Sequence, residues 1–78
     1  NSVQSLGIIS ESNSFENTII LTIIFGTVTD IEKMISYTQN LSVEKKCSKI
    51  RVLTKYNDIS SVDKLEKKFP FYLLVKQL

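Results

Sequence analysis

The stretch LGIISESNSFENTIILTIIFG, Leu6 to Gly26, decides the fold. Two apolar, β-branched runs flank a polar loop of turn-forming residues, Ser12-Asn13-Ser14-Phe15-Glu16-Asn17. The first run reads as a strand over Ser5–Glu11 and the second over Thr18–Phe25, so the stretch is a hairpin with a six-residue loop. A strand places successive side chains on opposite faces. Ile20 and Ile24 therefore point one way, and Ile19, Leu21, Ile23 and Phe25 the other. Apolar residues on both faces predict a strand covered on both sides.

Working outward, Thr29-Asp30-Ile31-Glu32 has the spacing of a capping box, with Thr29 as N-cap and Glu32 reaching back. Ile31, Met34, Ile35, Thr38 and Leu41 then share one helical face. Ser42–Ser48 reads as a charged connection. Lys49–Tyr56 alternates, with Ile50, Val52 and Tyr56 on one face and Lys49, Arg51 and Lys55 on the other beside Leu53. That is the pattern of a half-exposed strand near a sheet edge. Arg51→Glu should then be almost neutral and Val52→Asp strongly damaging. After a turn at Asn57–Ser60, Val62, Leu65 and Phe69 have helical spacing, with Ser60 or Ser61 as cap and Pro70 as stop. Phe71–Leu78 closes the chain as a strand. The expected fold is α+β, a two-layer sandwich of a four-stranded sheet with two helices on one face, in the order ββαβαβ, ferredoxin-like or a variant of it.

Seventy-eight residues make a single small domain, 1–78, and one this short stabilises itself poorly without a partner or a larger parent protein. With Asn1 at its start, the chain reads as a domain excised from something larger. The longest apolar run, Ile19–Val28, is ten residues, about half of the roughly 20 needed to cross a bilayer. One cysteine, Cys47, excludes an internal disulfide and fits a reducing, cytoplasmic setting. Residues 1–44 carry one base against five acids, and residues 45–78 nine bases against three acids. Such asymmetry marks either a polyanion-binding face or two halves that attract each other.

Residues Val3 to Leu53 resemble the later part of an ACT-type regulatory domain, through the strands SLGIISES and TIILTIIFG, the helix TDIEKMISYTQNL and the strand KIRVL. The resemblance implies a small ferredoxin-like module that binds an amino acid or another small ligand, usually as a dimer. The chain departs from that family in lacking the first strand–helix unit, whose loop carries much of the ligand site, and in its extra segment after Leu53. No ligand residue therefore transfers by resemblance.

The residue inventory argues against catalysis. Without histidine, neither Cys47 nor any serine has the usual general base. Asp30 and Glu32 are accounted for by the helix start. Glu11 with Glu16, and Asp58 with Asp63, lack the dense spacing of a calcium loop. No cofactor or metal is expected. Gly26 alone is not a phosphate cradle, and Asn40-Leu41-Ser42 matches a glycosylation acceptor by chance. The first reading is a regulatory or interaction module, not an enzyme, forming a homodimer through its sheet or contacting the rest of a larger protein. A small ligand would then sit near the dimer seam, at Ser12, Asn13, Ser14 and Asn17 or at Gly26, Thr27 and Thr29. The alternative is a nucleic-acid-binding domain that uses Lys45, Lys46, Lys49, Arg51 and Lys55, with Tyr37, Tyr56 and Tyr72 as stacking surfaces.

Overall fold

The computed structural model describes residues 4–11, 17–56, 59–67 and 71–78. Five strands, β1 (Leu6–Glu11), β2 (Thr18–Phe25), β3 (Lys49–Thr54), β4 (Lys64–Lys67) and β5 (Tyr72–Gln77), form one mixed sheet with a single helix, α1 (Val28–Glu44). The strand order is β1-β2-β3-β5-β4. β1 and β2 form the antiparallel hairpin expected from the opening stretch, whose loop at 12–16 lies outside the described residues. α1 carries the chain across to β3, which pairs parallel to β2. β5 then inserts antiparallel between β3 and β4.

This overturns the expected four-stranded, two-helix sandwich. The segment assigned to a second helix forms a turn at Ser60–Ser61 and then β4. Four residues, KLEK, all exposed, offer a helix too little apolar surface to hold it on a sheet. As a strand they satisfy the outer hydrogen-bonding edge of apolar β5. Phe69 and Pro70, counted toward that helix, lie outside the described residues.

The strand pairings arrange side chains in rows across the sheet. On the helix side, Ile9, Leu21, Val52, Leu74 and Leu65 fall in one row, and Ile19 lies opposite Ile50 in the next. Ile31 and Ile35 of α1 pack onto Leu21, Ile23, Ile50, Val52 and Leu74. Thr38 and Ser42 share that buried helical stripe because their hydroxyls donate to the carbonyls of Met34 and Thr38, each at 2.7 Å. Where a second helix was expected, the 59–63 segment plugs the core with Ile59, which is 5% exposed. Two side chains hold it there. The Glu32 carboxylate accepts from Ser60 N–H at 2.8 Å and Ser61 N–H at 3.3 Å, and Lys76 Nζ donates to the Ser61 carbonyl at 2.9 Å.

The helix ends also differ from the sequence reading. Thr27, not Thr29, is the N-cap, its Oγ1 accepting from Asp30 N–H at 3.2 Å. Glu32 is therefore free to serve the Ser60 turn. Gly26 fixes this start: its φ is +155°, and a Cβ there would lie 2.8 Å from Ser5 Cβ. The helix runs past the expected Leu41 to Glu44. It closes in a Schellman motif, with Cys47 N–H donating to Ser42 C=O at 2.9 Å and Lys46 N–H to Val43 C=O at 3.2 Å. The left-handed position falls on Lys46, with φ 59°. Glycine takes that conformation without a Cβ penalty. Lys46→Gly is therefore expected to stabilise the fold by about 0.5–1 kcal/mol, read as a higher urea midpoint with an unchanged slope.

Candidate functional site

The ligand residues expected from sequence do not converge. Ser12, Asn13 and Ser14 lie outside the described residues. Asn17 enters β2 with φ 56°, its carbonyl accepting from Ser48 N–H at 2.8 Å and Lys49 N–H at 3.2 Å, which ties the hairpin to the start of β3. Gly26, Thr27 and Thr29 sit beyond the far end of the same eight-residue strand, about 25 Å away at the usual rise per residue. Thr27 is occupied as the helix cap, and Thr29 is an exposed residue of the first turn.

The basic cluster is dispersed as well. Lys45 pairs with Glu11 at 2.9 Å, and that hydrogen bond raises the Lys45 pKa above its ordinary value. Lys46 forms the helix-closing turn. Lys55 lies past the end of β3 opposite to Lys49. Tyr72, opposite Thr54, packs against the core, and Tyr37 projects from α1 with 65% exposure. Neither tyrosine shares the sheet face of Lys49 and Arg51.

Arg51 is the largest departure from the sequence reading. Its strand lies inside the sheet, between β2 and β5, and Arg51 is 7% exposed. The alternation was read correctly, since Ile50 and Val52 face the helix. The opposite face at Arg51 is nevertheless buried. Arg51 Nε and Nη2 donate to the two Glu66 carboxylate oxygens at 2.9 and 3.0 Å, and Nη1 donates to Thr18 Oγ1 at 3.2 Å. The fork spans β5 to reach β4. Val75, opposite Arg51 in register, is 1% exposed in this stretch of sheet. The Arg51 guanidinium holds the Glu66 carboxyl below its usual value against the opposing effect of burial, with smaller help from Lys64 and Lys49. No local signal in the sequence announces this pair, because its members are 15 residues apart and on strands that are not neighbours.

The remainder of that face is apolar and uncovered among the described residues. One row runs Ile8, Thr22, Leu53, Leu73. Leu6, Ile8 and Ile24 are 44%, 53% and 44% exposed, and Phe71 is 42% exposed beside a shallow pocket that it lines with Ile24 and Leu53. On the helix side, α1 lies over β2 and β3 and leaves β1 largely bare. A groove of about 500 Å³ between β1 and α1 is lined by Gly7, Ile9, Leu21, Met34 and Tyr37, with Asp30 and Lys33 at its rim. A second groove of about 500 Å³ continues it past Ile9, Tyr37 and Leu41 to Glu11 and Lys45. No grouping of three or more potential metal ligands occurs among the described residues, and none of their helices is long and apolar enough to cross a membrane. The chain matches no family model, no curated protein and no solved structure.

Two tests follow from the charged groups. Arg51→Glu sets two carboxylates against each other in a largely buried site, so it should cost about 3 kcal/mol or more in urea unfolding, as much as Val52→Asp. Arg51→Met combined with Glu66→Leu should recover most of that loss. The second test is acid stability. Burial pushes the Glu32 carboxyl up, but the donors of Ser61 and Ser60 outweigh it and leave its pKa below 4.5, as Arg51 does for Glu66. A folded-state pKa below the unfolded one gives stability that is present above the unfolded value and lost as pH falls through the folded one. Unfolding midpoints measured at falling pH should drop below about pH 4.5, and Glu32→Gln should flatten part of that slope.

Proposed function

We propose that the chain is a non-catalytic interaction module that associates with a second copy of itself through its β-sheet. The observation that carries this reading is the sheet face opposite α1. It holds Leu6, Ile8, Ile24 and Phe71 at 42% to 53% exposure, with Leu53 and Leu73 half-buried between them. A contiguous apolar surface on so small a domain costs solubility unless something covers it. A chain of 78 residues gains in the same step the buried area its own core lacks. A small ligand at the seam, as in the ACT-type modules that residues 3–53 resemble, is the finer form of the proposal. The basic strand gives a nucleic-acid function no comparable support, since Arg51 and Lys45 already serve acids of the same chain.

Light scattering at rising micromolar concentration tests the reading. The expected result is a mass that climbs from the 8.9 kDa of one chain to twice that value. A constant 8.9 kDa in fully soluble protein would sink it.

A further inference from the structure

Charge is sorted between the two sides of the sheet. Lys49 and Lys55 continue the alternation of Arg51 and Leu53 on the face opposite α1, and Lys55 lines the shallow pocket there with Ile24, Leu53 and Phe71. Lys64 and Lys67 stand in register with Val75 and Leu73 of the same face. Lys49 and Lys64 both help to hold the Glu66 carboxyl below its usual value, which places them near the Arg51 fork. Glu66 is the only acid on this face among the described residues, and Arg51 already takes both of its oxygens. The other described acids belong elsewhere. Asp30, Glu32 and Glu44 are on α1, Glu11 turns to Lys45 at the end of the helix, and the Asp63 carboxylate accepts from Gln77 N–H. The face thus sets five bases against one acid, although the chain as a whole carries only +2.

The same face holds the exposed apolar side chains of Leu6, Ile8, Ile24 and Phe71. Its two properties together limit what can cover it. A second copy of the chain matches the apolar side chains but brings lysine against lysine. A nucleic acid matches the lysines but offers nothing to Leu6, Ile8 and Ile24, since bases stack on rings and not on aliphatic chains. An anionic bilayer meets both. Its headgroup phosphates suit the lysines, its acyl boundary takes the apolar side chains, and the lysine stems span the two depths.

We propose that the face opposite α1 docks on an anionic membrane surface, with Ile8, Ile24 and Phe71 entering the acyl boundary and Lys49, Lys55, Lys64 and Lys67 among the headgroups. In this contact the chain lies on the bilayer without crossing it. The inference goes beyond the self-association proposed above and makes the bilayer a competitor of the second copy for one face. The two contacts then respond oppositely to salt. Screening weakens the attraction to lipid and relieves the repulsion between the lysines of two copies.

Co-sedimentation of the intact chain with vesicles tests it, at a chain concentration low enough to keep copies apart. Vesicles of phosphatidylcholine alone should bind roughly a hundredfold more weakly than vesicles containing about one third phosphatidylserine. Lys55→Gln and Lys67→Gln should each weaken binding to the anionic vesicles about fivefold, and Ile24→Ser several-fold. Lys33→Gln, an exposed position on α1, should leave it within about twofold. Circular dichroism checks that each variant folds, and the comparison of the two vesicle types with the unaltered chain stands if one does not. Equal binding to both vesicle types, no binding to the anionic ones, or a loss with Lys33→Gln as large as with Lys55→Gln overturns the proposal. So does a chain that ignores vesicles and binds a short single-stranded RNA at low salt. Light scattering without vesicles separates the two readings. A monomer that binds anionic vesicles overturns only the self-association, and a dimer-forming chain that does not bind them overturns only the membrane contact.

Discussion

One helix must cover a five-stranded sheet. An α-helix is about 10 Å across with its side chains, and five strands spaced about 4.8 Å apart are roughly 19 Å wide between the outer axes. A single helix laid along the strands shields about half of that width. α1 lies over β2 and β3, where the most deeply buried residues, Ile19, Leu21, Ile50 and Val52, are found. The other features of the fold are responses to this deficit. Toward β5, Ile59 closes the core, and the Glu32 and Lys76 side chains hold its loop down. Toward β1 nothing comparable appears among the described residues, so Ile9 and Met34 remain only partly covered. The open groove is thus a geometric consequence of having one helix.

The far face of the sheet is managed by charge. Arg51 lies in the row Ser10, Ile20, Arg51, Val75, Lys64, across the middle of that face. A bidentate guanidinium–carboxylate pair has strict geometric demands, which apolar contacts lack. Its net contribution to stability is small, because desolvation consumes much of the attraction. Its effect is on arrangement. Arg51 can satisfy its fork only if β4 sits beyond β5 with Glu66 turned toward this face, and the irregular register after Leu65 falls where Glu66 makes that turn. Thr18 ties the same guanidinium to β2. One side chain thereby specifies the relative placement of strands that share little apolar surface.

The elements legible in the sequence were those with dense local pattern. The hairpin, α1, β3 and the last strand each announce themselves through alternation or through the spacing of Ile31, Ile35 and Thr38. The face assignment of β2 was legible too, since alternation within a strand needs no knowledge of its neighbours. The failures share a cause, which is that the deciding contact is remote. Thr27-x-x-Asp30 and Thr29-x-x-Glu32 are equivalent as capping patterns. The choice between them depends on Ser5 crowding Gly26 and on the Ser60 turn claiming Glu32. Val62, Leu65 and Phe69 have helical spacing, but the open edge of β5 makes KLEK a strand. Arg51 alternates as a surface residue should, but its strand lies inside the sheet and its guanidinium is met by Glu66 from β4 and Thr18 from β2.

The uneven charge of the two halves acquires a structural meaning from the same contacts. The sequence left two explanations open, a surface for polyanions or an attraction between halves. Glu11 meets Lys45, and Glu32 anchors the turn at Ser60, so two of the acids before residue 45 bind the later half. Of the bases after residue 44, Arg51 and Lys76 are used internally, and Lys64 and Lys67 line the outer strand. The basic excess is thus spent partly on protecting β4 from unwanted pairing. A chain under the same need at β1 would be expected to place charge there as well, at little cost to an exposed strand. It places Leu6, Gly7, Ile8 and Ile9 instead. The two edges of the sheet are therefore built unalike, β4 short and charged, β1 longer and charged only at Glu11.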